Sequence, residues 1–236
     1  MRTLKNSVAI LIQNFKLISQ IVLTVWFPGT VLIVLLATFV FPSATNGDEL
    51  ASLVQEVRVT NLIELAFGPV YIGALIYALS KIEQGIIPTY QESIQHGVRQ
   101  CYKLFIARLS AGLLIVLGYI ALIIPGIILS LHFAFIDMTV VLDGKQGREA
   151  RKLSKRLTKK RRWKILGGTT ITVVAISLFN TLLVSVLYFP FSLIGIQSNL
   201  ATDIFAGCIC SVTSALINIV LFLYYWDAKK FHAVEQ

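Results

Sequence analysis

Few residues in this chain have the type and spacing that chemistry needs. His96, His132 and His232 lie on three different segments, with no HxxxH pair and no His/Asp cluster, so a metal site is not expected. Cys101, Cys208 and Cys210 form no CxxC. The last two sit in an apolar stretch and read as small buried thiols. There is no G-x-S-x-G nucleophile elbow and no G-x-x-x-x-G-K-[ST] phosphate loop. Gly167-Gly168 lacks that context and reads as close helix packing. These residues point away from an enzyme, a metal and an organic cofactor.

What remains is charge. Lys145, Arg148, Arg151, Lys152, Lys155, Arg156, Lys159, Lys160, Arg161, Arg162 and Lys164 crowd one short stretch. Near an anionic bilayer each such residue contributes about 1 kcal/mol of attraction. The residues from Arg148 to Lys164 are therefore candidate lipid contacts; the alternative is a topology anchor with no specific ligand. Tethering to a membrane argues against nucleic acid. Three ionisable residues lie inside apolar stretches: Glu64, Arg108 and Asp137. Glu64 falls near the outer end of its span and reads as a solvated carboxylate. Arg108 sits near an inner end, where it can snorkel. Asp137 is deeper, roughly 9 Å inside the cytoplasmic end of its span. A charge there must be hydrated, hydrogen-bonded or protonated. Thr169, Thr170 and Thr172 reach a comparable depth in the next span, and their hydroxyls are candidate donors to it. Asp137 is then either a structural hydrogen-bonder or a proton- or substrate-linked site.

The elements that must position these residues are membrane helices. Hydrophobic residues make up 56% of the 236-residue chain, charged residues 14%, and the mean hydropathy is +0.77. A soluble domain carries about a quarter charged residues. The excess lies in long runs, so the bilayer is the expected solvent. Leu104 to Leu142 is one nearly continuous apolar block, roughly 58 Å long as a single helix. A bilayer core is about 30 Å thick, so this block must fold back. Pro125-Gly126 is where a type II turn suits. With the turn centred there, Arg108 and Asp143 stand level on the two arms and are the expected pair.

The whole chain reads as all-α, a single integral membrane domain of about six spans in three hairpins. The spans are near 17–41, 62–80, 104–124, 127–142, 165–188 and 203–226. The first exceeds the roughly 7–15 apolar residues of a signal peptide and reads as a retained span. Pro28-Gly29 and Gly68-Pro69 are expected to kink spans one and two, and Pro42 to Asn61 is a polar connection. Amphipathic stretches precede each hairpin: one before Lys16, one from Lys81 to Lys103 and one from Asp143 to Lys164. Thr89 and Glu92 carry a capping-box spacing. Gly207, Ser211 and Ala215 form a small-residue face in the last span. With the N-terminus inside, every Lys and Arg of the 21 except Arg58 falls on the cytoplasmic side, which fixes both termini there by the positive-inside rule.

Ile123-Ile124-Pro125-Gly126-Ile127-Ile128, the apolar Phe133 to Leu142, the acidic Asp143, and then Ala150, Ser154, Leu157 and Trp163 make a pattern. It resembles the membrane domain attached to some glycerophosphoryl diester phosphodiesterases, and the related stand-alone six-helix bacterial membrane proteins. The resemblance implies a six-helix inner-membrane protein. Two features depart from it: Lys159-Lys160-Arg161-Arg162, where that family often has Gly, and the intramembrane Asp137. The phosphodiesterase activity belongs to a separate soluble barrel, so no catalytic residue carries over. Two functional classes stay open. One is a non-enzymatic membrane protein that engages anionic lipids or a membrane-protein partner through its basic helices. The other is a small transporter or lipid-handling channel with a site near Asp137.

Overall fold

A computed structural model describes residues 2–35, 49–159, 161–194 and 200–234. Among them there are nine helices and no strand: α1 (Arg2–Gln13), α2 (Phe15–Leu35), α3 (Glu49–Glu83), α4 (Tyr90–Ala121), α5 (Ile123–His132), α6 (Ile136–Asp143), α7 (Gly147–Thr158), α8 (Arg162–Ile194) and α9 (Leu200–Val234). Five stretches are long and apolar enough to cross a bilayer: Phe15–Leu32, Tyr90–Ala121, Ile123–Asp143, Arg162–Phe191 and Leu200–Phe231. The protein is a multi-pass membrane protein.

The short amphipathic helix expected before Lys16 is α1, which packs on α9. Pro28 and Pro69 both lie inside unbroken helices. The expected polar connection from Pro42 to Asn61 is helical from Glu49 onward, and residues 42–48 fall outside the described residues. The capping box forms as the spacing implies. Thr89 Oγ1 accepts from the Glu92 amide at 3.3 Å, and Glu92 Oε2 accepts from the Thr89 amide at 3.1 Å.

The hairpin turn is not where Pro125-Gly126 suggests. One extended residue, Leu122 (φ −167°, ψ 149°), separates α4 from α5. Pro125 sits in the first turn of α5, where an amide has no partner within its own helix and a proline loses nothing. Gly126 serves close packing instead of a positive φ, since a side chain there would run into the Tyr119 ring. The fourth span is also not one helix. It breaks at Phe133–Phe135 into α5 and α6.

The packed core gathers Ile18, Ile21, Leu75, Leu79, Leu104, Phe135, Ile219, Phe222 and Tyr225, all nearly inaccessible. Large apolar residues stay outward along the α4–α5 hairpin and α8, such as Ile120, Ile124, Leu178 and Val186. Lipid is as apolar as leucine, so such faces need no protein cover. Small residues set the close approaches. Gly207 of the expected small-residue face lies against Thr30, and Ala215 of that face is buried. Gly168 leaves room for the Tyr224 ring and hydroxyl, while Gly167 faces open space.

Candidate functional site

Two arrangements use the charged residues. The first is an ion pair inside the bundle. Arg108 of α4 donates from Nε to both Asp137 oxygens (3.1 and 3.2 Å) and from Nη2 to Oδ2 (3.0 Å). The side chains are 26% and 16% exposed. This corrects the expected Arg108–Asp143 pair, and the displaced turn is the reason. Moving the turn from Pro125-Gly126 to Leu122 shortens one arm by about 3.5 residues and shifts the facing position by about seven. Asp143 instead accepts from the Tyr225 hydroxyl at 2.5 Å and from Lys229.

The expected threonine donors do not meet Asp137. Thr169 and Thr172 donate to the Ile165 and Gly168 carbonyls of their own helix, and Thr170 is exposed. Helical threonines readily bond back in this way. The third Arg108 nitrogen, Nη1, has no hydrogen-bond partner among the described residues. It lies over Gly68, where an added Cβ would stand 3.3 Å from Nη1 and 3.3 Å from Glu64 Cγ. Glu64 is therefore level with the ion pair, which corrects the expectation that Glu64 and Arg108 stand at opposite ends of their spans, and Gly68 makes room for the guanidinium on an uninterrupted helix.

Arg108 and Glu64 border two clefts. One, of about 470 Å³, opens between α3 and α4 over Leu109, Gly112, Leu113 and Val116. The other, of about 400 Å³, reaches inward to Trp26, Tyr71, Ser214 and Asn218. Tyr71 accepts from Asn218 Nδ2 at 2.9 Å and meets Trp26 edge to face. Sequence reasoning missed Trp26, Tyr71 and Asn218, which lie on distant segments. Glu64 and Gly68, four apart on one helix face, were the available signal.

The second arrangement is α7. Ala150, Ser154, Leu157 and Thr158 are buried at helical spacing. The Ser154 hydroxyl bridges the break before α6. It donates to the His132 carbonyl at 2.7 Å and accepts from the Phe135 amide at 3.2 Å. A helix break leaves such backbone groups without a ladder partner, and burial makes leaving them unpaired costly. The opposite face carries Arg148, Lys152, Lys155, Arg156 and Lys159, all exposed, with Lys164 and the 84% exposed Trp163 just beyond. Arg151, Arg161 and Arg162 are half-buried, with Arg161 over the Phe231 ring. Lys160 lies outside the described residues. Lys145 pairs with Glu149 at 3.2 Å on the surface.

His132 is buried, and His96 stacks on Tyr77. Among the described residues no group of three or more His, Cys, Asp or Glu could hold a metal. A family model described as a domain of unknown function (DUF7847) matches residues 47–233, from just before α3 almost to the end of α9. No curated protein and no solved structure matches the chain.

Proposed function

We propose that this chain, which belongs to the DUF7847 family, is a non-enzymatic plasma-membrane protein that holds anionic lipid headgroups on the basic face of α7. The observation that carries this reading is the division of labour across that helix. Its small-residue face is buried and hydrogen-bonded under the α5–α6 break, so the helix is held in place without its charges. No described residue forms an ion pair with its lysines and arginines, most of which are exposed beside an exposed Trp163. An aromatic ring with basic neighbours suits the headgroup level of a bilayer. In this reading α3 joins the five apolar stretches as a sixth span, the spans form three hairpins, and both termini are cytoplasmic. Reporter fusions after Gly47 and after Gln236 are expected on opposite sides of the membrane.

The direct test uses the full-length protein with Trp26 and Trp226 replaced by Phe, so that Trp163 is the one indole. Brominated acidic lipids are expected to quench it more than brominated neutral lipids. About 1 M salt, with a Debye length near 3 Å, is expected to remove the difference. Equal quenching by both lipids overturns the reading.

A second reading, a small lipid-handling channel, is favoured by one observation: Glu64 and Arg108 sit where a lateral cleft and an inward cleft meet.

A further inference from the structure

The lateral cleft between α3 and α4 has a polar end and an apolar body. At the polar end, Asp137 occupies Arg108 Nε and Nη2 and leaves Nη1 with its hydrogens unused. Glu64 makes no hydrogen bond or ion pair with any described residue. Arg108 Nη1 and Glu64 Cγ flank Gly68, each 3.3 Å from the position its Cβ would take, and the Glu64 carboxyl is one bond beyond that Cγ, so the two side chains stand within one headgroup's length of each other. The body runs past Leu109, Leu113 and Val116, all exposed, and Gly112 has open space before it. From Arg108 to Val116 is roughly 12 Å along the helix.

We propose that this cleft binds a phospholipid whose headgroup carries a primary amine beside its phosphate. The phosphate accepts from Arg108 Nη1, the ammonium donates to Glu64, and one acyl chain lies along Leu109, Leu113 and Val116. Charge selects this class. A simple anion at Nη1 meets the Glu64 carboxylate, and a simple cation at Glu64 meets the guanidinium. A zwitterion satisfies both with charge-assisted bonds. A quaternary ammonium has no N–H to give Glu64, so the headgroup nitrogen must keep at least one, and a primary amine keeps three. The proposal deepens the lipid-handling reading by naming its ligand and does not rest on α7. The site also lies below the usual headgroup level. On the six-span reading, Arg108 is roughly 21 Å from the Leu122 tip, leaving about 9 Å of a 30 Å core to the cytoplasmic face.

The test counts lipids retained by the full-length detergent-purified protein, using native mass spectrometry. The probes are phosphatidylethanolamine, phosphatidylcholine and phosphatidylglycerol of one chain composition, with soluble phosphoethanolamine as competitor. Wild type is expected to retain the ethanolamine lipid over the choline lipid by about tenfold. Glu64→Gln is expected to erase that preference with little change in melting temperature, since Glu64 is exposed and no described residue hydrogen-bonds to it. Gly112→Leu, whose Cβ would stand in open space and whose side chain would extend into the body, is expected to lower retention of the ethanolamine lipid. Equal retention of the two zwitterionic lipids, or an unchanged preference in Glu64→Gln, overturns the proposal. Displacement by soluble phosphoethanolamine at lipid-like concentrations overturns it in favour of a soluble zwitterion. Retention without transbilayer movement in vesicles supports the ligand assignment while removing the channel reading.

Discussion

The Arg108–Asp137 pair and the outward face of α7 both concentrate charge, and they are built in opposite ways. The pair has one cation and one anion, largely buried, joined by three hydrogen bonds between α4 and α6. Its geometry is fixed because a largely buried charge is costly without its partner. The α7 face has many cations, most of them exposed. That helix is located by Ala150, Ser154, Leu157 and Thr158 on its other side. Charge inside the bundle is therefore part of the structure, whereas most of the charge on α7 stands outside the packing, as the proposed lipid contact requires. The number of charges does not mark where the fold depends on them.

The sharpest way to break this contrast is Asp137→Leu. It leaves the Arg108 guanidinium without its partner in a largely buried place, an expected loss of about 3–5 kcal/mol. Thermal unfolding of the purified full-length protein is the measurement. Asp137→Asn keeps an acceptor for Arg108 and is expected to cost less. Replacing both residues by Leu is expected to restore most of the loss, because no unpaired charge then remains. Melting of Asp137→Leu at the wild-type temperature would remove the pair from the structural side of the comparison.

Ser154→Ala probes what locates α7. The buried Phe135 amide loses its acceptor and the His132 carbonyl its donor, an expected cost of about 1–3 kcal/mol. Hydrogen exchange at the Phe135 amide is expected to speed up in this variant. Unchanged protection there means that α7 is held by something other than its small-residue face.

How far the sequence could be read follows from which forces were local. The Thr89–Glu92 cap depends on four consecutive residues, and it forms as its spacing implies. The stripe of α7 is equally local: one helix period shows which side is apolar. The hairpin was legible as a length argument but not as a position. Pro125 suits both a turn and the first turn of a helix, and only packing of Gly126 on Tyr119 and of Gly118 on Leu129 separates the two. That ambiguity propagated to Asp137, because a partner assigned by depth inherits any error in the turn. The inward cleft was not legible, since Trp26, Tyr71 and Asn218 come from α2, α3 and α9 and meet only after the bundle closes. Nor was the break at Phe133–Phe135, whose stabilising group, Ser154, lies 19 residues beyond Phe135.

A smaller effect tests the stretch that leads into the ion pair. Thr89→Ala removes the acceptor for the Glu92 amide and is expected to cost about 1 kcal/mol. Because the cap lies far along α4 from Arg108, its effect should add to that of Asp137→Leu within about 0.5 kcal/mol. A larger discrepancy in the double variant means that the start of α4 and the ion pair are coupled.

The smallest expected stability effect belongs to the most heavily charged helix. Lys152, Lys155 and Lys159 are exposed, and no described residue pairs with them. Lysine also has a long stem that can cover apolar surface, so truncation is not automatically neutral. Here the apolar surface of α7 is already covered by the bundle through its opposite face, which leaves little for the stems to do. Each Lys→Ala change is therefore expected to move the unfolding free energy by no more than about 0.5 kcal/mol. The same changes should weaken attraction to an acidic bilayer by about 1 kcal/mol each, and the loss should shrink as salt rises. The informative measurement is the ratio of the two effects in one set of variants. A triple Lys→Ala protein that melts with wild type, while Trp163 no longer distinguishes acidic from neutral lipid, places the charges of α7 outside the fold and inside its lipid contact. If the triple variant instead loses several kcal/mol of stability and keeps its lipid preference, the charges are structural and the division between the two faces of α7 is wrong.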